Sequence, residues 1–375
     1  NENPKAQIIY SDEDKINQQG LRYEPFMKPD WSPELLLLQM YTGHLSVYKK
    51  ELIDKVGGFR QGYEGSQDYD LMLRASELTQ EIHHIPKVLY HWRTIEGSTA
   101  ADPSAKQYAY IAGQRALQDA MDRRGLHAQA SRIPRAHGVY SVEYEAARDG
   151  SEDSEIVSLS GAYDLSFLEG PTLPVSVVVA ITDSAGQPRR LIDLLLLLLP
   201  YLNFPDLELV LVIGEKKPFD LSEIRAQIAE HLRDEPCSIS SEEADFFVET
   251  KVKVIQPREE SGIAGLINSG VRSSKSEFVY LLDDSTTAIK HRVYGLGGNW
   301  LGQMVSYAGH KEIGAVGGLI VDPEESVVIS SGRAFCGDGT VADLHQGESI
   351  ESAGYFARLL GSSNCTALRF GCLVT

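Results

Sequence analysis

The chain has 375 residues, of which 42% are hydrophobic and 23% charged, and its formal net charge is -18. These are the proportions of a folded protein with room for two domains. The carboxylate excess excludes the basic stripe of a nucleic-acid-binding surface and the polybasic segment of an electrostatic membrane anchor, leaving at most peripheral membrane association. The four cysteines, Cys237, Cys336, Cys365 and Cys372, form no Cys-x-x-Cys pair. That usage fits a reducing, cytoplasmic compartment and no zinc site.

Gln7-Ile8-Ile9-Tyr10 reads as a strand, and Ser11-Asp12-Glu13-Asp14-Lys15 as an acidic loop after it. Ser32 followed by Pro33 marks a helix start, with the helix running over 34–40. Residues 43–48 alternate as a strand, and 49–55 form a short helix stopped by Gly57-Gly58. Gly65 breaks a loop that opens the next helix. Ser66 is its expected N-cap, and Asp68 and Asp70 lie in its first turn, where the helix dipole favours negative charge. Tyr69, Met72 and Leu73 recur at helical spacing and face a core. Residues 84–93 read as a short buried strand ending in His91-Trp92-Arg93. A carboxylate at a helix start near a His and an Arg can be a cap or part of a small-molecule site, and spacing alone leaves both open. Residues 104–124 form a long helix ended by Gly125, and 138–145 alternate as a strand. Residues 148–172, rich in Ser, Asp, Glu and Gly, have a linker composition.

The second half starts afresh. Residues 175–181 are a β-branched run, as in a buried parallel strand. A helix over 188–202, a strand over 207–213, a helix over 221–233, a strand over 251–256, a helix over 263–273 and a strand over 277–282 follow. Within 191–202 the longest apolar run is too short to span a bilayer. This alternation predicts a doubly wound, mostly parallel sheet with flanking helices, with ligands beyond the carboxyl ends of its strands. Thr182-Asp183, Gly214-Glu215 and Asp283-Asp284 then share one rim. There is no Gly-x-Gly-x-x-Gly after the first of these strands and no phosphate-loop lysine motif, so a dinucleotide reading is weak. A carboxylate pair directly after a buried strand suits a divalent metal bridging a diphosphate; capping of the next turn is the alternative.

These residues resemble the family 2 glycosyltransferases of the GT-A fold, above all the large tandem bacterial enzymes of O-antigen and capsule synthesis. The first half carries the likeness in Ile9 to Ile16, Lys28-Pro29-Asp30-Trp31-Ser32-Pro33, Gly57-Gly58-Phe59-Arg60, Gly65-Ser66-Gln67-Asp68-Tyr69-Asp70-Leu71 and Leu89-Tyr90-His91-Trp92-Arg93. In the second half it runs through 175–181, Asn268-Ser269-Gly270, 281–286, 314–318 and 364–374. The resemblance implies that 1–133 is the acceptor-side part of one catalytic domain, a partial α/β GT-A back part. It makes 134–172 a strand and acidic linker, and 173–375 the nucleotide-sugar-binding, Rossmann-like front part of the next domain. A fragment of a longer protein is the arrangement expected.

By this resemblance the reaction is inverting transfer of a sugar from a nucleotide-sugar donor to a glycan or lipid-linked acceptor. Asp68 is the general base, His91 and Arg93 serve the leaving diphosphate, and His91 is also a metal-ligand candidate. Thr182, Asp183, Asn268, Asp283 and Asp284 are the expected nucleotide-sugar contacts, with Asp283 on a divalent metal, Mg or Mn. Trp31 and Gln67 are the expected acceptor contacts. Asp12 and Asp14 fit Asp-x-Asp but stand one strand too late for the metal motif, and are expected to be structural or to support other side chains. Two departures concern the second half: Gly214 stands where an acidic residue usually meets the nucleoside, and Ser285 where the metal motif ends.

Overall fold

The computed structural model describes residues 3–94, 107–144, 174–181, 206–214, 222, 226, 248–257, 262–283, 300–322 and 324–375. The chain divides into two compact units, 1–145 with 352–364, and 146–351 with 365–375.

In the first unit, β1 (Ile8–Ile16) is followed by β2 (Arg22–Phe26), α1 (Pro33–Leu38), β3 (Ser46–Tyr48), α2 (Lys50–Val56), α3 (Gln67–Ser76) and β4 (Ile82–Arg93). α4 (Gln107–Arg123) and the hairpin of β5 (Ala128–Arg132) and β6 (Tyr140–Tyr144) complete it. β4 runs parallel to β1 along its whole length, so antiparallel β3 and β2 share the opposite edge, one at each end. The core lies where the apolar run of α1 and the inward residues of α3 and α4 meet this sheet. Leu35, Leu36, Leu37 and Leu38 are all buried, as are Tyr69, Met72, Leu73, Ala116 and Leu117. Burying each leucine stabilises the unit by about 1.5–3 kcal/mol.

Two expectations are corrected here. The stretch 11–15 is not a loop: β1 continues through it to Ile16. The carboxylates of Asp12 and Asp14 point to the side of the sheet where β4 supplies histidines, and a paired carboxylate is tolerated in a strand. Nor is β4 a buried strand. Its only strand partner among the described residues is β1, and its outer half alternates between half-buried and exposed. Pro86 fits because an edge strand has an N–H to spare. Pro86 and Lys87 also fall in a bulge, since Ser11 pairs with Ile85 and Asp12 with Val88.

The second unit is built on β7 (Val175–Ile181), β8 (Leu207–Ile213), β9 (Val252–Ile255), α5 (Ile263–Ser273), β10 (Phe278–Asp283) and α6 (Trp300–Ala308). Short pieces follow: β11 (Val316–Gly317), β12 (Ile320–Asp322), β13 (Val327–Ser330), β14 (Arg333–Phe335), β15 (Val341–Asp343) and β16 (Cys372–Val374). The sheet order is β11-β16-β10-β7-β8-β9. The run from β10 to β9 is parallel, and β16 is antiparallel to both neighbours. The mixed α/β, mostly parallel sheet is thus as expected. The direction of travel reverses at β7, so the crevice of a doubly wound sheet lies past Ile181 and Asp283. α5 packs on β7 and β8 through Gly270, where an added Cβ would stand 2.3 Å from Val178 Cγ1 and 2.9 Å from Val212 Cγ2. The helices expected over 188–202 and 221–233 lie outside the described residues, apart from Ser222 and Ala226, which are helical. Among the described residues no helix is long and apolar enough to cross a membrane.

Candidate functional site

The loop before α3 turns at Gly65, whose φ is +86° and where a Cβ would stand 2.6 Å from Ala109 Cβ, so only glycine fits. Ser66 is the residue at the N-cap, but its hydroxyl does not cap the helix. It donates instead to Ala109 O on α4 at 2.7 Å, tying the two helices together. Gln67 is exposed, and its Oε1 accepts the Gly65 N–H.

The two carboxylates of the first turn have different surroundings. Asp70 is fully buried, between Arg74 (Nη2 2.7 Å) and Arg60, whose Nη2 also reaches Asp119 at 2.9 Å. Burial pushes the Asp70 carboxyl up, but hydrogen bonds and charge from the two guanidiniums outweigh it and hold it below the usual carboxylate range. Arg74 in turn donates to Val56 O and Gly58 O, joining α3 to the end of α2. Asp68 is only half-buried, and among the described residues no cation pairs with it. One oxygen accepts the N–H of Tyr69 at 2.9 Å. Burial raises the phenols of Tyr48 and Tyr140, and the Asp68 charge adds to both shifts, so this carboxylate lies within electrostatic reach of β3 and β6.

A second group of charges lines the β1–β4 ladder. Asp12 and Asp14, two residues apart, share one face of β1. Asp12 Oδ1 lies 2.8 Å from His84 Nε2 and accepts the Lys28 N–H at 2.9 Å. The His84 ring stacks on Tyr10, and its Nδ1 faces Asp30 at 3.2 Å. Two rungs nearer the end of β4, Asp14 Oδ1 meets His91 Nδ1 at 2.5 Å, while its Oδ2 accepts Arg22 Nε at 2.6 Å. Burial raises the Asp14 carboxyl, but the bonds from His91 and Arg22 hold it below the usual range. With Nδ1 engaged, His91 presents Nε2 outward, and its side chain is 40% exposed.

Lys28 is the buried cation of this group. Its ammonium has no exposed surface, lies 3.4 Å from Glu13 and donates to Thr42 O and His44 O. Burial lowers its pKa, and the Glu13 charge opposes that shift. Arg93 is exposed on the last rung, opposite Ile16. Trp31 is half-buried and stacks on Tyr41 at 6.4 Å, packing against the core.

Not all the expected residues are brought together. Tyr48, near Asp68, pairs with Ile8, whereas His91 pairs with Asp14; those rungs are roughly 20 Å apart at about 3.3 Å per residue. Among the described residues, no hydrogen bond or ion pair joins Asp68 to His91, Arg93 or Trp31. Asp14, expected to be structural or to support other side chains, holds His91 and Arg22, whereas Arg22 and His84 are members of the group that the sequence did not point to. The available signal was the two-residue spacing of Asp12 and Asp14, which puts both on one strand face.

In the second unit, Thr182, Asp183 and Asp284 lie outside the described residues, and Asp283 is placed by its backbone alone, at the end of β10. Asn268 is exposed on α5. A Cβ at Gly214 would stand 2.7 Å from Leu266 Cδ1 and 3.3 Å from Ile181 O, so α5 crowds that position. Among the described residues no group of three His, Cys, Asp or Glu side chains converges to hold a metal ion. Asp14 holds both His91 Nδ1 and Arg22, which leaves Nε2 as the His91 ring nitrogen turned toward any ligand.

No family model matches the chain. Over 99% of its length it is 34% identical to uncharacterized protein y4gI of Sinorhizobium fredii, covering 35% of that protein. Over 86% of its length it is 28% identical to the O-antigen biosynthesis protein RfbC of Myxococcus xanthus, covering 21% of it. The chain therefore spans only about a third and a fifth of the lengths of these relatives. Among solved structures, the mannosyltransferase PcManGT from Pyrobaculum calidifontis in complex with GDP-Man and Mn2+ matches 52% of this chain and 56% of its own, at 15% identity and a TM-score of 0.28. A superposition this loose carries no feature across.

Proposed function

We propose that the chain is part of a glycosyltransferase of cell-surface polysaccharide synthesis. It would act in the family 2, GT-A manner and move a sugar, with inversion, from a nucleotide-sugar donor to a glycan or lipid-linked acceptor. Similarity to an O-antigen biosynthesis protein along most of the chain supports the setting. The observation that carries the reading is the division of labour in the first turn of α3. Asp70 is fully buried between two arginines, and Asp68, two residues before it, is half-buried and free of any counter-ion among the described residues.

In this reading Asp68 is the general base. It accepts the proton of the acceptor hydroxyl as that oxygen attacks the anomeric carbon, and the nucleoside diphosphate leaves from the opposite face. His91, oriented by Asp14, and Arg93 would offer hydrogen bonds and positive charge to an anionic group of the substrate at the far end of the β1–β4 ladder, roughly 20 Å along it from the rung beside Asp68. Trp31 and Gln67 belong to the acceptor side, and Thr182, Asp183, Asn268, Asp283 and Asp284 to the nucleotide-sugar rim of the second unit. A divalent metal would offset diphosphate charge there; the described residues show no site for it, and no step above depends on it.

The test is sugar transfer by the full-length parent protein carrying Asp68→Asn. A loss of about 10²–10⁴ in rate is expected with folding intact; an unchanged rate rejects the base assignment.

A second reading, for the second unit alone, is a nucleotide-sugar-binding or scaffolding module without turnover. The crowding of Gly214 by Leu266 favours it, because an acidic side chain at that position would have to displace the Leu266 side chain. Donor-analogue binding by the parent that survives loss of transfer from this unit would distinguish the two.

A further inference from the structure

The loop between β2 and α1 carries Lys28, Asp30 and Trp31, and both of its ends are fastened by residues from much later in the chain. Tyr355 OH accepts the Met27 N–H at 2.9 Å and donates to Pro25 O at 2.9 Å. Arg358 Nη2 donates to Met27 O at 3.3 Å, so both peptide groups of Met27 are satisfied by the same short segment. Phe356 stacks face to face on Phe26 with ring centroids 3.9 Å apart, and its carbonyl accepts Gln39 Nε2 at 2.6 Å. At the other end of the loop, Asn364 Oδ1 accepts the Ser32 hydroxyl at 2.9 Å and the Glu34 N–H at 3.1 Å, closing the first turn of α1. The Asn364 N–H donates back to Ser32 Oγ. Leu38 of α1 packs against Gly361. Residues 352–364 thereby belong to the first unit, although the chain before and after them belongs to the second.

We infer that the end of β2, the loop 26–33 and the start of α1 form a receiving surface for a short segment. Its form is two aromatic residues, an arginine two positions later and an asparagine six beyond that. Its occupant in this protein is 352–364, and docking of that segment orders the loop that carries Trp31. The receiving side offers mainly main-chain groups: Pro25 O, Met27 N–H and O, and the Glu34 N–H. Undocking strips these groups of their partners together and uncovers Phe26, which is otherwise 7% exposed. The loop and the first turn of α1 should open as one local unit, ahead of the strands and of α3 and α4.

Residue-resolved hydrogen exchange on the whole chain tests this. In Tyr355→Phe, which removes one hydroxyl, protection of the Met27 amide should fall about tenfold while β1 and α4 keep theirs. In Asn364→Ala, the Glu34 amide should lose protection by about five- to tenfold, and Asn364→Asp, whose carboxylate oxygens accept the same bonds, should restore it. Unchanged protection at Met27 and Glu34 overturns the inference. So does a loss spread evenly through the first unit, which would mean general destabilisation.

Discussion

Asp68 and Asp70 lie two residues apart in one helical turn, and everything that separates them is supplied from elsewhere in the chain. Asp70 points inward to Arg74 from its own helix and to Arg60 from the preceding loop. Replacing it with Asn would leave the buried Arg74 guanidinium without its anion and Arg60 with Asp119 alone. The expected cost is about 3–5 kcal/mol in urea unfolding. The pH dependence has a defined sign. The folded carboxyl titrates below its unfolded value of about 4, so its contribution is complete above that value and is lost as pH falls through the folded one. The gap in stability between the protein and Asp70→Asn should therefore be widest near neutrality and close in acid. Asp68→Asn is expected to move unfolding by less than about 0.5 kcal/mol, since it breaks no ion pair. The sequence shows both aspartates but not this distinction, because Arg60 reaches Asp70 through the fold of an intervening loop.

Strands and helices were legible in proportion to how far their own residues specify them. β7, β8 and α5 have the ends that their apolar runs predict, since unbroken β-branched residues need no distant partner to be read. The acidic half of β1 could not be read in that way. Five consecutive polar residues look like a loop until His84 and His91, more than 70 positions away, are placed beside Asp12 and Asp14. β2, β5 and the two small hairpins β12–β13 and β14–β15 are too short, and too exposed in places, for periodicity to show. Two predictions belong to this scale. Asp14→Ala removes the anchor of His91 and the partner of Arg22. It should leave the His91 ring reorienting, seen as loss of a fixed imidazole tautomer in nitrogen-detected NMR. Gly270→Ala forces α5 away from Val178 and Val212, and thermal unfolding should show a loss of about 1–3 kcal/mol in the second unit.

At the scale of the whole molecule, the chain divides into two compact units. Their membership was not legible. β6, expected with the linker segment 134–172, pairs with β5 inside the first unit, and 352–364 joins that unit from the far side of the second. Nothing in a Tyr-Phe-Ala-Arg stretch announces its partner, because the receiving groups are mostly main chain and leave no side-chain signature. The net charge of -18 gives no hint of it either, since it describes solubility and not contacts.

The Asn364 bond to Ser32 spans 332 residues, and during synthesis that span is an interval of time. At roughly 5–20 residues per second, α1 leaves the ribosome on the order of 20–60 s before the residue that closes its first turn exists. For that interval the nascent first unit holds Phe26 and the main chain of Met27 uncovered. Any chain released between β6 and Tyr355 would keep them so.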